Sequence, residues 1–335
     1  MSSEQTVHPT HRRSDYDVTD SVQVSSAAAV SEAVRQLFAA QWPEHSFAPI
    51  ESAFRTFGDL VGGLLPGYTG IDTVYHDRQH TLDAALAMAR LLVGFERGAA
   101  PDEQLGFERA AMGLITAIFH DAGYVRKLTD TQRNGAEYTN CHVSRSAQFL
   151  GDFMPTIGMA EWAPIAMKVV HFSGYEIAFD EIRLDNPKDI KVGHLLGTAD
   201  LIAQMSDRCY LEKCRDRLYP EFVLGGLAAT RDATGTMRVL YGSGLDLLKK
   251  TPAFIDSAIK NKLDGCFAGV YHHLETLFNG ENPYLQAMQQ HRAYLESVLQ
   301  GEQWAMLRRQ PPLFTQDPSS MQNVQQLMVS HLQAV

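Results

Sequence analysis

The sequence predicts an all-α protein built as one helical domain with additional helices at both ends. Apolar residues recur every three or four positions along almost the whole chain, which is the repeat of an amphipathic helix. Proline or glycine closes most of these segments. Residues 226–245, "GLAATRDATGTMRVLYGSGL", are the one place where a short hairpin would fit. With 335 residues, of which 45% are hydrophobic, the chain can bury a large core.

The helices can be placed in order from the apolar repeats and from the residues that interrupt them. Residues 1–25 are polar and without a repeat, so they are expected to form a flexible tail. Two front helices follow, in "AAAVSEAVRQLFAAQW" and "ESAFRTFGDLVGGLL". Further helices are expected at 73–95, 102–119, 136–153, 159–170, 190–205, 207–222 and, with breaks, 252–299. The stretch "HFSGYEIAFDEIRLDNPKD" is expected to be a loop, and residues 306–335 a packed or loose tail.

No internal repeat and no clear linker divides this helical pattern, which favours a single domain with extensions. We therefore expect a flexible N-terminal tail at 1–25 and a central helical domain at 26–225. A C-terminal helical extension at 226–335 is expected to pack on that domain.

Composition excludes several classes of partner. The formal net charge of -10 argues against binding of nucleic acid polymers or anionic membranes, although a local basic pocket for a small phosphate ligand stays open. The four cysteines form no CxxC pair, as is typical of reduced thiols in the cytosol. The N-terminus lacks the apolar core of a signal peptide, and no later stretch is apolar enough to span a membrane. A cytoplasmic protein is expected.

Polar residues interrupt the apolar faces at particular positions. In "VYHDRQHTLDAALAMARLL", His76 and His80 stand four apart, so both are expected on one side of a helix. His120 and Asp121 directly follow the apolar run "AAMGLITAIF", and Asp200 lies among Leu and Ala residues. A buried carboxylate there is costly unless a cation meets it. The candidate metal ligands are His80, His120, Asp121, His142, His171 and Asp200.

Each candidate also has an ordinary structural explanation. A single His on an apolar face is more often a hydrogen-bonded core residue, Asp121 could cap a turn, and Asp200 could pair with Arg. Glu137 in "NGAE" fits the capping box of a helix start better than a ligand. However, five successive helical elements each place a metal-binding side chain at an inner face, which favours one shared metal site over five unrelated explanations.

The order of these residues resembles a known family. It is similar to the H...HD...D signature of the HD superfamily of metal-dependent phosphohydrolases, which are helical. The matching residues are His80, then His120 with Asp121, then Asp200. "YHDRQH" resembles the Y-H-N-x-x-H motif of class I cyclic nucleotide phosphodiesterases. His142 and His171 are similar to the extra histidines of binuclear HD enzymes, including HD-GYP phosphodiesterases. The resemblance covers residues 70–225 and implies an HD-domain helical bundle at 26–225.

The sequence departs from these relatives at three points. It reads "HDAGY" where class I phosphodiesterases have a further His after the HD pair. The glutamine that clamps a purine in those enzymes has no clear counterpart. "HFSGYEI" lacks the second His, the Asp and the Pro of the HD-GYP stretch. The resemblance therefore implies metal chemistry and leaves the substrate open.

Two divalent metal ions are the cofactors that the resemblance implies. Mixed imidazole and carboxylate donors suit Mn, Fe, Co, Ni or Zn better than Mg, which is possible at one position. Asp121 carries two oxygens and can therefore bridge two ions. We assign metal 1 to His80, His120, Asp121 and Asp200, and metal 2 to Asp121, His142 and His171.

The expected activity is that of a phosphodiesterase, which hydrolyses a (cyclic) nucleotide phosphoester with a metal-activated water. Asp121 is expected to act in catalysis as the bridge, and His76 as the general acid, the role of its counterpart in the resembling phosphodiesterases. Arg145, Lys127 and Arg126 are candidates for binding substrate phosphate. Two alternatives stay open: a mixed-valent di-iron oxygenase of the inositol-oxygenase-like HD type, and a degenerate HD domain that senses nucleotides. The expected partner is a small phosphoester or nucleotide, and a homodimer also stays open.

Overall fold

The computed structural model describes residues 12–231 and 236–334 and confirms a predominantly all-α fold. Within these residues the chain forms twelve α-helices and one two-stranded antiparallel sheet. The helices are α1 (Ala27–Gln41), α2 (Ala48–Val61), α3 (Arg78–Gly98), α4 (Phe107–Ile118), α5 (His142–Phe153), α6 (Ala163–Val169), α7 (Pro187–Ser206), α8 (Tyr210–Lys213), α9 (Tyr219–Leu224), α10 (Gly244–Ser257), α11 (Pro283–Gly301) and α12 (Ser320–Ala334). The strands β1 (Ala229–Arg231) and β2 (Met237–Val239) form the predicted hairpin.

Helices α3 and α7 lie at the centre of the bundle and pack against each other. Residues 79–96 of α3 are buried without interruption, and α7 is buried over most of its length. A helix that is enclosed on every side carries its polar side chains into the interior, where each of them needs a partner. The two central helices therefore supply buried polar groups to the middle of the protein.

A capping residue makes α3 shorter than predicted. The Asp77 carboxylate accepts hydrogen bonds from the backbone N–H groups of Gln79 (2.9 Å) and His80 (3.2 Å). Helix α3 therefore begins at Arg78 and not near residue 73. His76 precedes the helix, so the prediction that His76 and His80 project from one helical face is wrong.

The next two helices also begin later than predicted. Helix α4 begins at Phe107, directly after Gly106 in the left-handed region at φ 76°. The capping box of Asn134 and Glu137 is confirmed, but it starts a short 3-10 turn, and α5 itself begins at His142. His142 thus lies in the first turn of α5, where backbone N–H groups are not yet used by the helix.

The C-terminal region contains more regular structure than predicted. Helix α10 continues into a π-helical segment, Ala258–Cys266. Residues 306–335 include α12, which the interpretation as a packed or loose tail missed. Val324 of α12 is fully buried against Val74 and Leu224, and this apolar contact explains why the helix is held in place.

An extended segment between α11 and α12 crosses the start of α3. We call residues 307–316 the C-terminal strap. The Arg217 guanidinium donates to the carbonyl oxygen of Pro312 in the strap at 3.0 Å. The N–H of Phe314 donates to the Asp77 carboxylate, the cap of α3, at 3.4 Å. The strap therefore ties the last part of the chain to the helix that carries His80.

Residues 12–25 correct the prediction of a flexible tail. Val24 is fully buried, and the carboxylate of Asp17, also fully buried, forms an ion pair with Arg90 of α3 at 2.8 Å. Backbone N–H groups of Ser21 and Val22 donate to the same carboxylate at 2.8 Å each. These contacts are specific enough to hold the segment against the bundle, while residues 1–11 lie outside the described residues.

The Asp17–Arg90 pair is expected to contribute strongly to stability. Burial opposes ionisation of Asp17, but Arg90 and local hydrogen bonds outweigh it and lower the pKa of Asp17 from 3.8 to about 2. Asp17→Ala should reduce the free energy of unfolding by about 3–5 kcal/mol in urea titrations, because Arg90 stays buried without its carboxylate. Since the folded pKa is the lower one, the stabilisation should be complete above pH 4–5 and disappear as the pH falls towards 2.

The control for this substitution is Glu32→Ala, which removes an exposed carboxylate that pairs with Arg35 on α1. Glu32→Ala should unfold like the wild type. An equally small effect of Asp17→Ala would show that residues 12–25 are dispensable for stability.

The proposed division into 1–25, 26–225 and 226–335 stays a prediction. In the described residues, α11 packs on α7 and α12 packs on α9, so helices from residues 226–335 lie directly against helices from residues 26–225. None of the helices in 12–231 and 236–334 has the length and apolar character needed to cross a lipid bilayer.

Candidate metal centre

Four of the predicted ligands meet in the interior. Nε2 of His80 lies 3.2 Å from Oδ2 of Asp121 and 3.3 Å from Oδ1 of Asp200. Nε2 of His120 lies 3.3 Å from the same Asp121 oxygen and 3.7 Å from the same Asp200 oxygen. All four side chains are nearly inaccessible to solvent. Helix α3, the end of α4 and helix α7 therefore bring two imidazoles and two carboxylates to one point.

These separations fit a single metal ion. Two ligand atoms that are each about 2.1 Å from one ion lie about 3.0 Å apart at a right angle and about 3.4 Å apart at the tetrahedral angle. His80, His120 and Asp200 alone form a buried group whose ligand atoms all lie within 4.8 Å of one another. This His-His-Asp group could therefore hold a metal ion, and Oδ2 of Asp121 lies beside both of its histidines.

The hydrogen bonds of His120 orient it for this role. Its Nδ1 lies 2.8 Å from the carbonyl oxygen of Ala117, so a proton on Nδ1 leaves the lone pair of Nε2 directed at the cluster. Neither Nε2 of His120 nor Oδ2 of Asp121 has a hydrogen-bond partner, although both atoms are buried. Such orphaned polar atoms are costly in an apolar interior. A cation between them would remove this cost.

The charges of the cluster are strongly coupled. Burial by itself would lower the pKa of His80, but Asp121 and Asp200 outweigh it and raise the pKa to about 9. Burial likewise opposes ionisation of Asp121, yet the neighbouring His120 and His80 hold the pKa of that carboxyl well below its ordinary value. Protons on the imidazoles thus neutralise the negative charge of the carboxylates. A bound metal ion would neutralise the same charge.

The second oxygen of Asp121 faces another histidine. Oδ1 of Asp121 lies 3.7 Å from Nε2 of His142, whose Nδ1 is 2.7 Å from the carbonyl oxygen of Thr139. Gly123 permits this approach, because a Cβ at that position would lie 1.9 Å from the carbonyl oxygen of His142. Asp121 therefore directs one oxygen at His80 and His120 and the other at His142.

His76 lies beside the cluster and is held by a carboxylate that we did not predict. Its Nδ1 is 2.6 Å from Oε2 of Glu221, a fully buried residue of α9. The other oxygen of Glu221 accepts the backbone N–H groups of Val74 and Tyr75 at 2.6 Å each. Both the ring of His76 and the segment that carries it are thus fixed by one side chain. Nε2 is the ring nitrogen that this contact leaves free.

Tyr124, which follows the His-Asp pair in "HDAGY", connects the two outer histidines. Its ring stacks on His76 at 4.6 Å between centroids and on His142 at 4.3 Å. The tyrosine is fully buried, so it fixes the planes of both imidazoles.

His171 is not brought into this cluster. Among the described residues, no ion pair or hydrogen bond joins His171 to Asp121 or His142, and its Nδ1 is buried without a partner. Burial lowers the pKa of His171, and Glu176 partly offsets this effect. Glu176 itself lies closer to the centre, with an oxygen 3.9 Å from Nδ1 of His142. No direct contact among the described residues therefore supports the assignment of His171 to metal 2.

The three cations predicted to bind substrate phosphate lie outside the cavity at the metal centre. Arg126 pairs with Asp72 at 2.8 Å, and Arg145 pairs with Asp130 at 2.7 Å. Lys127 is exposed on the loop between them. The two arginines are thus paired with half-buried carboxylates, and binding of substrate phosphate by Arg126, Lys127 and Arg145 stays a prediction.

The cluster opens into a cavity of about 490 Å³, large enough for a small organic ligand. Its polar wall contains His76, His80, Asp121, His142 and Asp200. Apolar side chains from residues 218–254, around α9, the hairpin and α10, also line the cavity, among them Leu218, Phe222, Leu240, Tyr241, Leu247 and Phe254. Phe222 and Tyr241 contact each other at 5.6 Å between ring centroids. The C-terminal extension thus completes the cavity.

No match is found when the chain is compared with protein-family models, with curated proteins or with solved structures. Membership of the HD superfamily therefore stays a prediction that rests on the motifs around His80, His120, Asp121 and Asp200.

Proposed function

We propose that the protein is a metal-dependent phosphoester hydrolase with a binuclear centre of the HD type. The observation that carries the proposal is the placement of Asp121, whose two oxygens face His80 and His120 on one side and His142 on the other. A carboxylate in that position can bridge two ions. The first ion would take His80, His120, Asp121 and Asp200, and the second would share Asp121 and take His142.

Divalent ions at this centre supply an activated water and neutralise the charge that develops on the phosphoryl oxygens. The water attacks phosphorus, and the bond from phosphorus to the leaving oxygen breaks. That oxygen must then gain a proton. In this proposal His76 donates it from Nε2, because Nδ1 is engaged by Glu221 and the ring lines the cavity.

Glu221 supports this proton transfer in two ways. Its carboxylate binds Nδ1 of His76 at 2.6 Å and so keeps a proton on that nitrogen, which leaves Nε2 as the nitrogen that gives its proton up and takes one back. Since Glu221 also binds the backbone at residues 74 and 75, His76 needs no rearrangement before it acts.

A nucleotide phosphodiester is the substrate that we propose for this cavity. The polar wall would hold the phosphate, while Phe222 and Tyr241 offer aromatic surfaces for a planar base. The volume of about 490 Å³ accommodates a mononucleotide-sized ligand.

Anaerobic metal analysis followed by a phosphoester screen tests the function. We expect about two divalent ions per chain and hydrolysis of bis-p-nitrophenyl phosphate that Mn stimulates and oxygen does not affect. Two irons with an oxygen-dependent product would replace the proposal with a di-iron oxygenase. Nucleotide binding without metal or turnover would instead indicate a degenerate sensing domain.

A further inference from the structure

A lysine faces the metal centre from the C-terminal extension. Lys262 lies in the π-helical segment 258–266, an irregularity that often occurs at functional sites. Its side chain lines the same cavity as Asp121 and Asp200. The ammonium lies 3.6 Å from the ring centroid of Tyr175 and 5.4 Å from that of Phe179, both in the loop before α7. The lysine is therefore held by aromatic rings at the cavity wall.

Lys262 has no carboxylate partner among residues 12–231 and 236–334. Among the described residues, the cavity-lining lysines are Lys250 and Lys262, and Lys250 forms an ion pair with Asp246 at 3.0 Å. Lys262 forms no ion pair within this part of the chain. Burial lowers the pKa of Lys262 to about 8, although Asp200 favours its charged form. A partly desolvated ammonium without a counterion is a binding site for an anion.

We propose that Lys262 binds the anionic phosphoryl group of the substrate in the cavity that it shares with the candidate metal ligands. This inference rests on the proposed function and names a cation that lines the cavity, as Arg126, Lys127 and Arg145 do not. Tyr175 is 73% exposed and its ring lies 3.6 Å from the ammonium, so it covers Lys262 at the cavity wall. The loop before α7 would thus position Lys262, and the π-helical segment would carry it.

Calorimetric titration of inorganic phosphate into the metal-loaded full-length protein tests the role of Lys262. Lys262→Met should weaken phosphate binding about 10- to 100-fold, the contribution of a charge-assisted hydrogen bond. Lys262→Arg should restore most of the affinity. Metal content should be the same in all variants, since Lys262 is not a ligand. In turnover assays Lys262→Met should raise KM for a phosphodiester.

The matched control is Lys260→Met, an exposed lysine two residues away in the same segment. Lys260→Met should bind phosphate like the wild type, because it does not line the cavity. Wild-type phosphate affinity of Lys262→Met, or equal losses in both variants, would overturn the inference. Lys262-dependent phosphate binding in a protein that hydrolyses no phosphoester would support the anion site while rejecting the proposed hydrolase. Lys262→Gln repeats the test with a polar side chain if Lys262→Met folds poorly.

Discussion

Asp121→Ala is expected to lose bound metal from both positions and nearly all phosphoester hydrolysis. The two oxygens of Asp121 face different imidazoles. Oδ2 lies 3.2 Å from Nε2 of His80 and 3.3 Å from Nε2 of His120, whereas Oδ1 lies 3.7 Å from Nε2 of His142. Removing a single preorganised electrostatic group from an active site costs about 100- to 1,000-fold in rate. Loss of the bridging carboxylate should reduce the rate of hydrolysis by more than that. Metal stoichiometry by mass spectrometry and turnover with Mn are the measurements.

Two further variants make this prediction specific. His142→Ala should preferentially empty the second position and retain about one ion per chain. Asp130→Asn changes a carboxylate that pairs with Arg145 outside the cavity, so it should retain both metal ions. A fully metal-loaded Asp121→Ala protein would remove the bridging role and, with it, the proposed mechanism.

His76→Ala is expected to keep the metal ions and lose turnover by about 100- to 10,000-fold, the usual contribution of general acid catalysis. His80→Ala should instead reduce metal content, because His80 and not His76 contacts both Asp121 and Asp200. The loss in His76→Ala should shrink for substrates that release p-nitrophenolate, since this leaving group needs little protonation. Parallel assays on good and poor leaving groups measure the difference.

The matched control is His272→Ala, which disrupts another His-Glu pair. His272 lies 2.7 Å from Glu275, but this pair is exposed and outside the cavity, so the variant should show normal rates. Equal losses for good and poor leaving groups in His76→Ala would argue against proton donation. Release of metal from His76→Ala would make His76 a ligand and require a larger metal centre.

The all-α fold was predictable because burial imposes a helical repeat on the sequence over many residues. The boundaries were less predictable, since they depend on single capping side chains. Asp77 illustrates the difficulty. The repeat was read as starting near Thr73 in "TVYHDRQH", but the Asp77 side chain accepts the N–H groups of Gln79 and His80, so the helix begins only after Asp77. This local competition moved His76 from the helix into the preceding segment.

Much of the candidate metal centre was predictable for a related reason. His80, His120, Asp121 and Asp200 interrupt apolar runs, and a polar residue at a buried position requires a partner. His171 follows an apolar run in the same way but lies in the 3-10 turn Val170–Ser173, and its buried Nδ1 has no partner among the described residues. The pattern therefore indicates burial of a polar group, not the direction in which it points.

The partners contributed by distant segments could not be predicted. Glu221 lies 145 residues from His76, and nothing in "LYPEFVL" indicates that its carboxylate is buried against the segment before α3. The ion pairs of Arg126 with Asp72 and of Arg145 with Asp130 were not predicted, because the two carboxylates lie on other loops of the chain. Lys262 was missed because a π-helical segment breaks the repeat by which helical faces are assigned.

The contact between the C-terminal strap and the start of α3 can form only late in synthesis. Phe314 of the strap contacts Asp77 across 237 residues of sequence. At about 5–20 residues per second, translation of that interval takes about 12–47 s. During this time the start of α3 emerges from the ribosome without the contact that covers it. The site around His80 is therefore incomplete during this time. We expect that nascent chains that stop before the strap do not yet hold a metal ion tightly.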